Sequence, residues 1–196
     1  MSKTSSAQAR AKKIKLLLFD VDCVLTDGKI YLFPVPGGSG EAIPTVVEAK
    51  GFNAHDGAAI SLARLGGIRA GLITRRNSET VALRARDLKL DVVHQGVRDK
   101  LKAFREILGK EGLTSDEVAF VGDDVIDLPV MQNCGLSIAV ANARAEVKRN
   151  AHYVTPHAGG EGDGRDAIEF ILKAQGKWKR AVESYMAGKD LGGMGN

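Results

Sequence analysis

The sequence predicts an α/β fold in which a doubly wound parallel sheet forms a single domain over residues 13–187. Short apolar runs such as Leu16-Leu17-Leu18-Phe19 alternate with segments whose apolar residues recur at helical spacing. This alternation is typical of right-handed strand–helix–strand units. A chain of 196 residues is long enough for one such domain with a sizeable core.

The composition excludes several classes of protein. The chain carries 28 basic and 24 acidic residues, and its aromatic content is only 5%. We therefore expect an anionic small substrate and no nucleic acid, since stacking platforms for bases are scarce. The two cysteines, Cys23 and Cys134, have no CxxC spacing, so we expect neither a disulfide nor a zinc site. No apolar stretch resembles a signal peptide or membrane span, so we expect a cytoplasmic protein without membrane contact.

The first strand carries the most informative residues. An uninterrupted apolar run ends in Asp20 and Asp22. Side chains alternate along an extended backbone, so both carboxylates leave the strand on the same side. Two like charges placed together are unfavourable without a cation or a shared proton. The pair therefore predicts a metal site at the end of this strand.

The segments around this strand are predicted as a tail and a flap. Residues 1–12 are polar and predicted to be disordered. Two β-like runs, residues 29–33 and 45–49, flank a stretch rich in Pro and Gly that cannot be helical. We interpret residues 28–50 as a long-looped hairpin flap projecting from the sheet. Apolar spacing around Ala59, Ile60 and Ala63 then predicts a helix that stops at Gly66-Gly67.

The rest of the chain continues the alternation. Strands are predicted over residues 68–73, 91–94, 118–121, 136–140 and 152–154. Helices are predicted after a cap at Asn77 or Ser78, from about Lys100, and as one long helix after Arg165 that extends past Trp178. Gly159 to Gly164 is predicted to be a flexible loop, and residues 188–196 a flexible Gly-rich tail.

Polar residues follow four of the predicted strands or lie near them: Asp20/Asp22, Thr74, Lys100 and Asp123/Asp124/Asp127. Parallel strands present their carboxyl ends at one edge, so these residues should converge on one crevice. The set suits phosphoryl transfer, with a carboxylate nucleophile, a carboxyl acid/base, and a hydroxyl and ammonium for the phosphoryl oxygens. Oxygen ligands at a partly hydrated site favour Mg²⁺.

These residues resemble the four motifs of the haloacid dehalogenase superfamily: Asp20-Val21-Asp22 through Gly28, Ile73-Thr74, Lys100, and Gly122-Asp123-Asp124 with Asp127. The spacing leaves no room for a large cap domain after Thr74. Among cap-less members, Phe52-Asn53 with Asp56-Gly57, Pro129-Val130-Met131, Tyr153-Val154-Thr155 and Ala174-Gln175-Gly176-Lys177 resemble the 3-deoxy-D-manno-octulosonate 8-phosphate phosphatases of lipopolysaccharide biosynthesis.

The resemblance implies a role for each matched residue. Asp20 would be the nucleophile and Asp22 the acid/base. Mg²⁺ would be bound by the side chains of Asp20 and Asp123 and the main-chain carbonyl of Asp22. Thr74 and Lys100 would hold the phosphoryl group, and Asp127, with Asp124 less directly, would position Lys100 or a metal-bound water. The family also implies a homotetramer built through the flaps, in which a neighbour helps to close each active site.

The chain departs from the family pattern where the sugar should bind. Cys23 and Arg75 stand where the family has glycine, which leaves Arg76 to match the family's arginine, and His55 replaces an arginine. We expect Arg76 and His55 to face the substrate. The flap loop and the loop at Gly159 are also longer. These departures concern the sugar rather than the phosphatase chemistry.

Three alternatives remain open from the sequence. The first is a nonulosonate 9-phosphate phosphatase, since such enzymes look alike. The second is a phosphoaccepting signalling domain, and the third is an inactive oligomeric scaffold that keeps the flap interface. The intact motifs in four loops favour turnover over storage of the phosphoryl group, because an acid/base follows the nucleophile.

Overall fold

A computed structural model describes residues 3–35 and 45–189 of the chain. Its central sheet is parallel throughout, and its six strands lie in the order β5-β4-β1-β6-β7-β8. The strands of this sheet are β1 (Leu16–Phe19), β4 (Arg69–Ile73), β5 (Val92–His94), β6 (Val118–Gly122), β7 (Leu136–Ala139) and β8 (Tyr153–Val154). A separate antiparallel hairpin consists of β2 (Tyr31–Val35) and β3 (Thr45–Ala49).

The helices of the described residues are α1 (Lys3–Ala11), α2 (Ala54–Leu65), α3 (Glu79–Asp87), α4 (Lys100–Glu111), α5 (Leu128–Met131), α6 (Ala145–Asn150), α7 (Asp163–Ala174) and α8 (Trp178–Met186). They lie between the strands of the sheet, except that α1 precedes β1 and that α7 and α8 follow β8. The cap of α3 is Ser78, whose side chain accepts a hydrogen bond from Val81 N. The predicted α/β fold with a doubly wound parallel sheet and a hairpin is therefore confirmed. Within the two described ranges, no helix combines the length and apolar character needed to cross a bilayer.

The strand β1 lies at the centre of the core. All four of its residues are buried, and it pairs with β4 on one side and β6 on the other. Burial on both faces explains why its sequence is apolar without interruption. The register places Phe19 beside Leu72 and Val121, so residues after all three strands emerge at one level. This edge carries the residues predicted to bind metal and phosphate.

The amino-terminal segment is a correction to the sequence prediction. We predicted that residues 1–12 are disordered, but residues 3–11 form α1. The side chains of Ala7 and Ala11 are fully buried against the core. The Gln175 amide also donates hydrogen bonds to the carbonyls of Ala11 and Ile14, at 3.0 and 2.7 Å. Small apolar residues hold this polar segment in place.

The carboxyl-terminal helix is a second correction. We predicted one long helix after Arg165, but two helices form, and α7 already begins at Asp163. Gly176 has φ 68° between them, a left-handed conformation that ends a helix. The predicted flexible loop at Gly159 thus passes into the first turn of α7. Residues 36–44 and 190–196, which include most of the predicted flap loop and of the Gly-rich tail, lie outside the described residues.

Candidate active site

Asp20 and Asp22 lie on a tight turn that begins at the end of β1. The turn spans Val21–Leu25 and is closed by Thr26, whose backbone nitrogen donates to the carbonyl of Val21 at 3.1 Å. Cys23, between the acidic pair and Val24, has φ 64°. This left-handed conformation favours glycine, which explains why a glycine is expected at that position. The turn places Asp20 in the interior and leaves Asp22 half-buried.

Lys100 joins the nucleophile candidate to the loop after β6. Its ammonium lies 2.8 Å from Oδ1 of Asp20 and 2.7 Å from Oδ1 of Asp127, and all three side chains are buried. Burial alone would lower the pKa of Lys100, but the two carboxylates outweigh burial and raise it. Lys100 therefore remains a cation at the floor of the site.

Asp127 organises the acidic loop. Its Oδ2 accepts hydrogen bonds from the backbone nitrogens of Asp123 at 3.0 Å and Asp124 at 3.3 Å, while Oδ1 accepts from Lys100. Both oxygens are thus used by protein donors, which suits the predicted positioning role. Asp124 caps the short turn Val125–Asp127 and accepts from Val125 N at 2.7 Å.

The oxygens of this edge fit a metal ion. Asp20, Asp123 and Asp127 each offer one carboxylate oxygen, and these atoms all lie within 4.8 Å of one another. Burial, followed by the charges of Asp127 and Asp20, raises the pKa of Asp123 to about 7. Burial also raises the pKa of Asp20 above its usual range, although Lys100 opposes this. Crowded carboxylates of this kind gain from a hard divalent cation such as Mg²⁺.

Thr74 follows β4 at the same edge. It is buried, its backbone nitrogen donates to the carbonyl of His94, and its carbonyl accepts from Val97 N. The register of β1 and β4 places Thr74 beside the start of the turn that carries Asp22. The structure thus brings together Asp20, Asp22, Thr74, Lys100 and the acidic loop, as the sequence predicts.

Two cations contact Asp22, and only Arg76 is among the residues predicted from the sequence. Arg76 Nε lies 3.8 Å from Oδ2 of Asp22, and the ammonium of Lys50 donates a hydrogen bond to Oδ1. The Lys50 side chain is only 1% exposed. The sequence gives only a weak indication of this contact, namely a lysine at the end of the predicted flap.

Glu48, on strand β3 of the flap, binds the segment that contains Arg76. Its carboxylate accepts hydrogen bonds from Arg76 and from Ser78 Oγ, the latter at 2.7 Å, and its carbonyl accepts from Thr80 Oγ1 at 3.1 Å. The base of the flap is thereby attached to the segment that follows Thr74. Sequence reasoning missed Glu48 because its partners lie about 30 residues away.

His55 and Cys23 remain apart from these contacts. His55 lies in the first turn of α2 with an exposed side chain, and its backbone nitrogen is capped by Asn53 at 2.8 Å. Its proposed contact with substrate stays a prediction. Burial, together with Asp123, Asp22 and Asp20, raises the pKa of Cys23 to about 11. The thiol is therefore neutral at neutral pH.

Comparisons with known proteins agree on one group. A family profile for haloacid dehalogenase-like hydrolases matches residues 67–162. The chain is 41% identical over 178 residues to 3-deoxy-D-manno-octulosonate 8-phosphate phosphatase from Escherichia coli strain B / BL21-DE3, covering 91% of this chain and 89% of that protein. It resembles the crystal structure of the same-named enzyme from Yersinia pestis with a TM-score of 0.80 and 40% identity, covering 89% of each chain.

A further solved structure includes ligands. The Moraxella catarrhalis 3-deoxy-D-manno-octulosonate 8-phosphate phosphatase was determined in complex with a magnesium ion, a phosphate ion and KDO. It matches with a TM-score of 0.82 and 32% identity, covering 92% of this chain and 98% of that chain.

Proposed function

Because the chain belongs to the haloacid dehalogenase-like hydrolases, in the group of 3-deoxy-D-manno-octulosonate 8-phosphate phosphatases, we propose that it hydrolyses this phosphorylated sugar acid. Relatives of this group are phosphatases, and the enzyme is a phosphoric monoester hydrolase. The observation that carries the proposal is the convergence of Asp20, Lys100 and the acidic loop on one buried edge. The close alternative is a nonulosonate 9-phosphate.

The proposed cofactor is Mg²⁺. Side chains of Asp20 and Asp123, with the main-chain carbonyl of Asp22, would hold it, while Asp127 positions the loop that carries Asp123. When bound, the ion supplies positive charge that offsets the charge of the phosphoryl oxygens. The Moraxella relative's magnesium and the donor set found here support this assignment.

In the proposed reaction, Asp20 forms an aspartyl-phosphate. A carboxylate oxygen of Asp20 bonds to phosphorus as the bond from phosphorus to the sugar oxygen breaks. Asp22 gives its proton to the departing oxygen, and later takes a proton from the water that hydrolyses the intermediate. Thr74 and Lys100 hold the phosphoryl oxygens. Lys100 is already fixed between Asp20 and Asp127, so little reorganisation is needed.

Two basic side chains, Lys50 and Arg76, lie on the leaving-group side of the site, each within ion-pair distance of Asp22 and Glu48. Lys50 and Arg76 both contact Asp22, which is where the sugar oxygen would depart. A sugar with a carboxylate suits these two cations better than a neutral hexose does. The presence of these two basic side chains beside Asp22 supports an acidic sugar as the substrate class. His55 is proposed to contact the same sugar.

The test is a panel of phosphate esters assayed with Mg²⁺. We expect 3-deoxy-D-manno-octulosonate 8-phosphate to give the highest kcat/KM and Asp20→Asn to abolish phosphate release. Faster turnover of a nonulosonate 9-phosphate would change the proposed substrate but leave the proposed reaction mechanism unchanged. If hexose phosphates are hydrolysed with a kcat/KM equal to that of the eight-carbon and nine-carbon sugar-acid phosphates, the proposed substrate class is contradicted. A signalling domain would retain the phosphoryl group, and an inactive scaffold would release none.

We also propose that the chain forms a homotetramer through its flaps. In the hairpin, Tyr31, Phe33 and Val47 lie on one face and remain about half exposed, at 46%, 54% and 48%. On the other face, Leu32 is 61% exposed. Large apolar side chains on both faces of a two-stranded hairpin favour burial against further copies.

A further inference from the structure

The loop Ala158–Gly162 packs on the turn that carries Asp22. Gly160 N donates a hydrogen bond to the carbonyl of Val24 at 2.6 Å. Gly159 lies so close to this turn that a Cβ atom on it would be 1.7 Å from the carbonyl oxygen of Cys23. A Cβ on Gly160 would be 2.3 Å from the backbone nitrogen of Asp27. The contact is therefore made by backbone atoms and requires glycine.

Two buried carboxyl groups lie at the base of this loop. Asp163, the first residue of α7, is fully buried, and its Oδ1 accepts from Gly160 N at 3.1 Å. Asp56, on α2, is 4% exposed, and its Oδ1 accepts from Arg165 N at 2.8 Å. Among the described residues, Oδ2 of each carboxyl group has no hydrogen-bond partner. Neither group belongs to the phosphoryl-transfer site.

The charges around this pair do not neutralise it. Asp56 repels Asp163, and Asp166 repels Asp56, whereas His55 attracts Asp56. Asp166 is itself bound to His157, at 2.9 Å.

Arg165 offers the pair only its backbone N–H. Its guanidinium bonds to Glu169 at 3.3 Å and lies over the Trp178 ring, at 4.9 Å from the centroid. A buried pair with this balance of charges holds a proton.

The two carboxyl groups, Asp163 and Asp56, differ in their affinity for that proton. Burial, followed by the charge of Asp56, raises the pKa of Asp163 to about 8. Burial raises the pKa of Asp56 to about 6, and its bond from Arg165 N limits the rise. At neutral pH, Asp163 is thus the neutral acid and Asp56 the carboxylate.

We propose that Asp163 is a positioning residue for the catalytic turn: as a neutral acid beside Asp56 it holds the Ala158–Gly162 loop against residues 23–27. When its proton is lost, two buried negative charges face each other, and moving the loop into water relieves their repulsion. The turn then loses the backbone contacts that fix Asp22, and turnover falls.

The first test is thermal stability of the full chain as a function of pH. Asp163 binds a proton in the folded state up to about pH 8, whereas an unfolded aspartate loses it near pH 4. Its contribution to stability is therefore present at low pH and lost as pH rises toward about 8. Asp163→Asn, which is always neutral, should gain at least about 3 °C in Tm over wild type between pH 5 and pH 8. A Tm difference that stays constant over this range would overturn the proposal.

The control for this test is Asp116→Asn, which alters an exposed aspartate paired with Lys13. Asp116 precedes β6, whereas the active site follows the other end of that strand. It should keep the wild-type pH slope. If Asp163→Asn does not fold, amide hydrogen exchange of the wild-type chain provides the same test. Residues 22–28 and 158–165 should lose protection between pH 7 and pH 9 relative to β1 and β6. Unchanged relative protection would overturn the proposal.

The effect on turnover rests on the proposed function. With saturating Mg²⁺ and substrate, wild-type kcat should fall at least about threefold from pH 7.5 to pH 9, and Asp163→Asn should lose less than half of that. Identical pH profiles would overturn the positioning role. If neither chain releases phosphate while the stability and exchange results hold, the proposed function fails and the proton-dependent loop contact stands.

Discussion

The ammonium of Lys100 lies 2.8 Å from Oδ1 of Asp20, although the two residues belong to strand–helix units about 80 residues apart. Both side chains are buried, at 2% and 7% exposure. A buried cation in this position limits the repulsion between Asp20 and Asp127, and in the proposed reaction it also holds a phosphoryl oxygen. If the proposed function is right, stability and catalysis depend on the same contact.

Lys100→Met should lose both properties. Removing the ammonium leaves Asp20 and Asp127 buried without their cation, so we expect a loss of about 3 kcal/mol in unfolding free energy at pH 8. The loss should be smaller at pH 5, where Asp20, whose pKa is raised to about 6 by burial, binds a proton. We expect kcat/KM to fall at least about a thousandfold. Lys102→Met, an exposed lysine on the same helix, is the control for denaturant unfolding and kinetics. Equal behaviour of the two variants would contradict the account.

Mg²⁺ binding should strengthen as pH rises. The pKa of Asp123 is raised to about 7 by burial and neighbouring carboxylates, so protons compete with the metal at pH 6 but not at pH 8. We expect the Kd for Mg²⁺, measured by titration calorimetry, to be about tenfold weaker at pH 6 than at pH 8. Asp123→Asn should bind weakly at both values. A Kd that does not change with pH would show that Asp123 is not a ligand.

Lys50→Met should distinguish acidic from neutral substrates. Lys50 is buried beside Asp22 on the leaving-group side, so its loss should raise KM for the sugar-acid phosphate about tenfold. An aryl phosphate without a carboxylate should lose less than about threefold in kcat/KM. Steady-state kinetics with both substrates separate damage to Asp22 from loss of sugar recognition. An equal loss of kcat/KM with both substrates would show that Lys50 does not recognise the sugar carboxylate.

Phe33→Asp should disrupt the proposed tetramer. The substitution introduces a charge on the exposed apolar face of the flap. We expect light scattering to show a smaller species, with kcat/KM for the sugar phosphate reduced at least about tenfold. Leu83→Asp is a matched control, since Leu83 is 50% exposed on α3 rather than on the flap. A wild-type chain that is already monomeric would refute the tetramer directly.

The central sheet and its acidic edge could be predicted because local sequence determines both. The run before Asp20 is buried on both faces and so is apolar throughout, and the motif residues follow strands in the order the fold requires. Parallel strands then bring the strand-end residues together without further information. Thr74, Lys100 and Asp123 were placed at the site in this way.

The remaining features depend on contacts between distant segments. Helix α1 was missed because its burial rests on Ala7 and Ala11, small residues in a polar segment. The break before α8 depends on the conformation of Gly176. The loop at Gly159 looks flexible in sequence, but its glycines allow backbone contact with the catalytic turn. The proposed role of Asp163 rests on its contact with Gly160 and its proximity to Asp56, which come together only in the folded chain.

The central claim is that Asp20 carries the phosphoryl group, and acid-quench mass spectrometry tests it most directly. The full chain is mixed with Mg²⁺ and excess substrate, quenched in acid during turnover, and digested. The account predicts that the peptide containing Asp20 gains the mass of one phosphoryl group, and that Asp20→Asn shows no such gain. A phosphoryl group found on another residue, or turnover by Asp20→Asn at the wild-type rate, would contradict it.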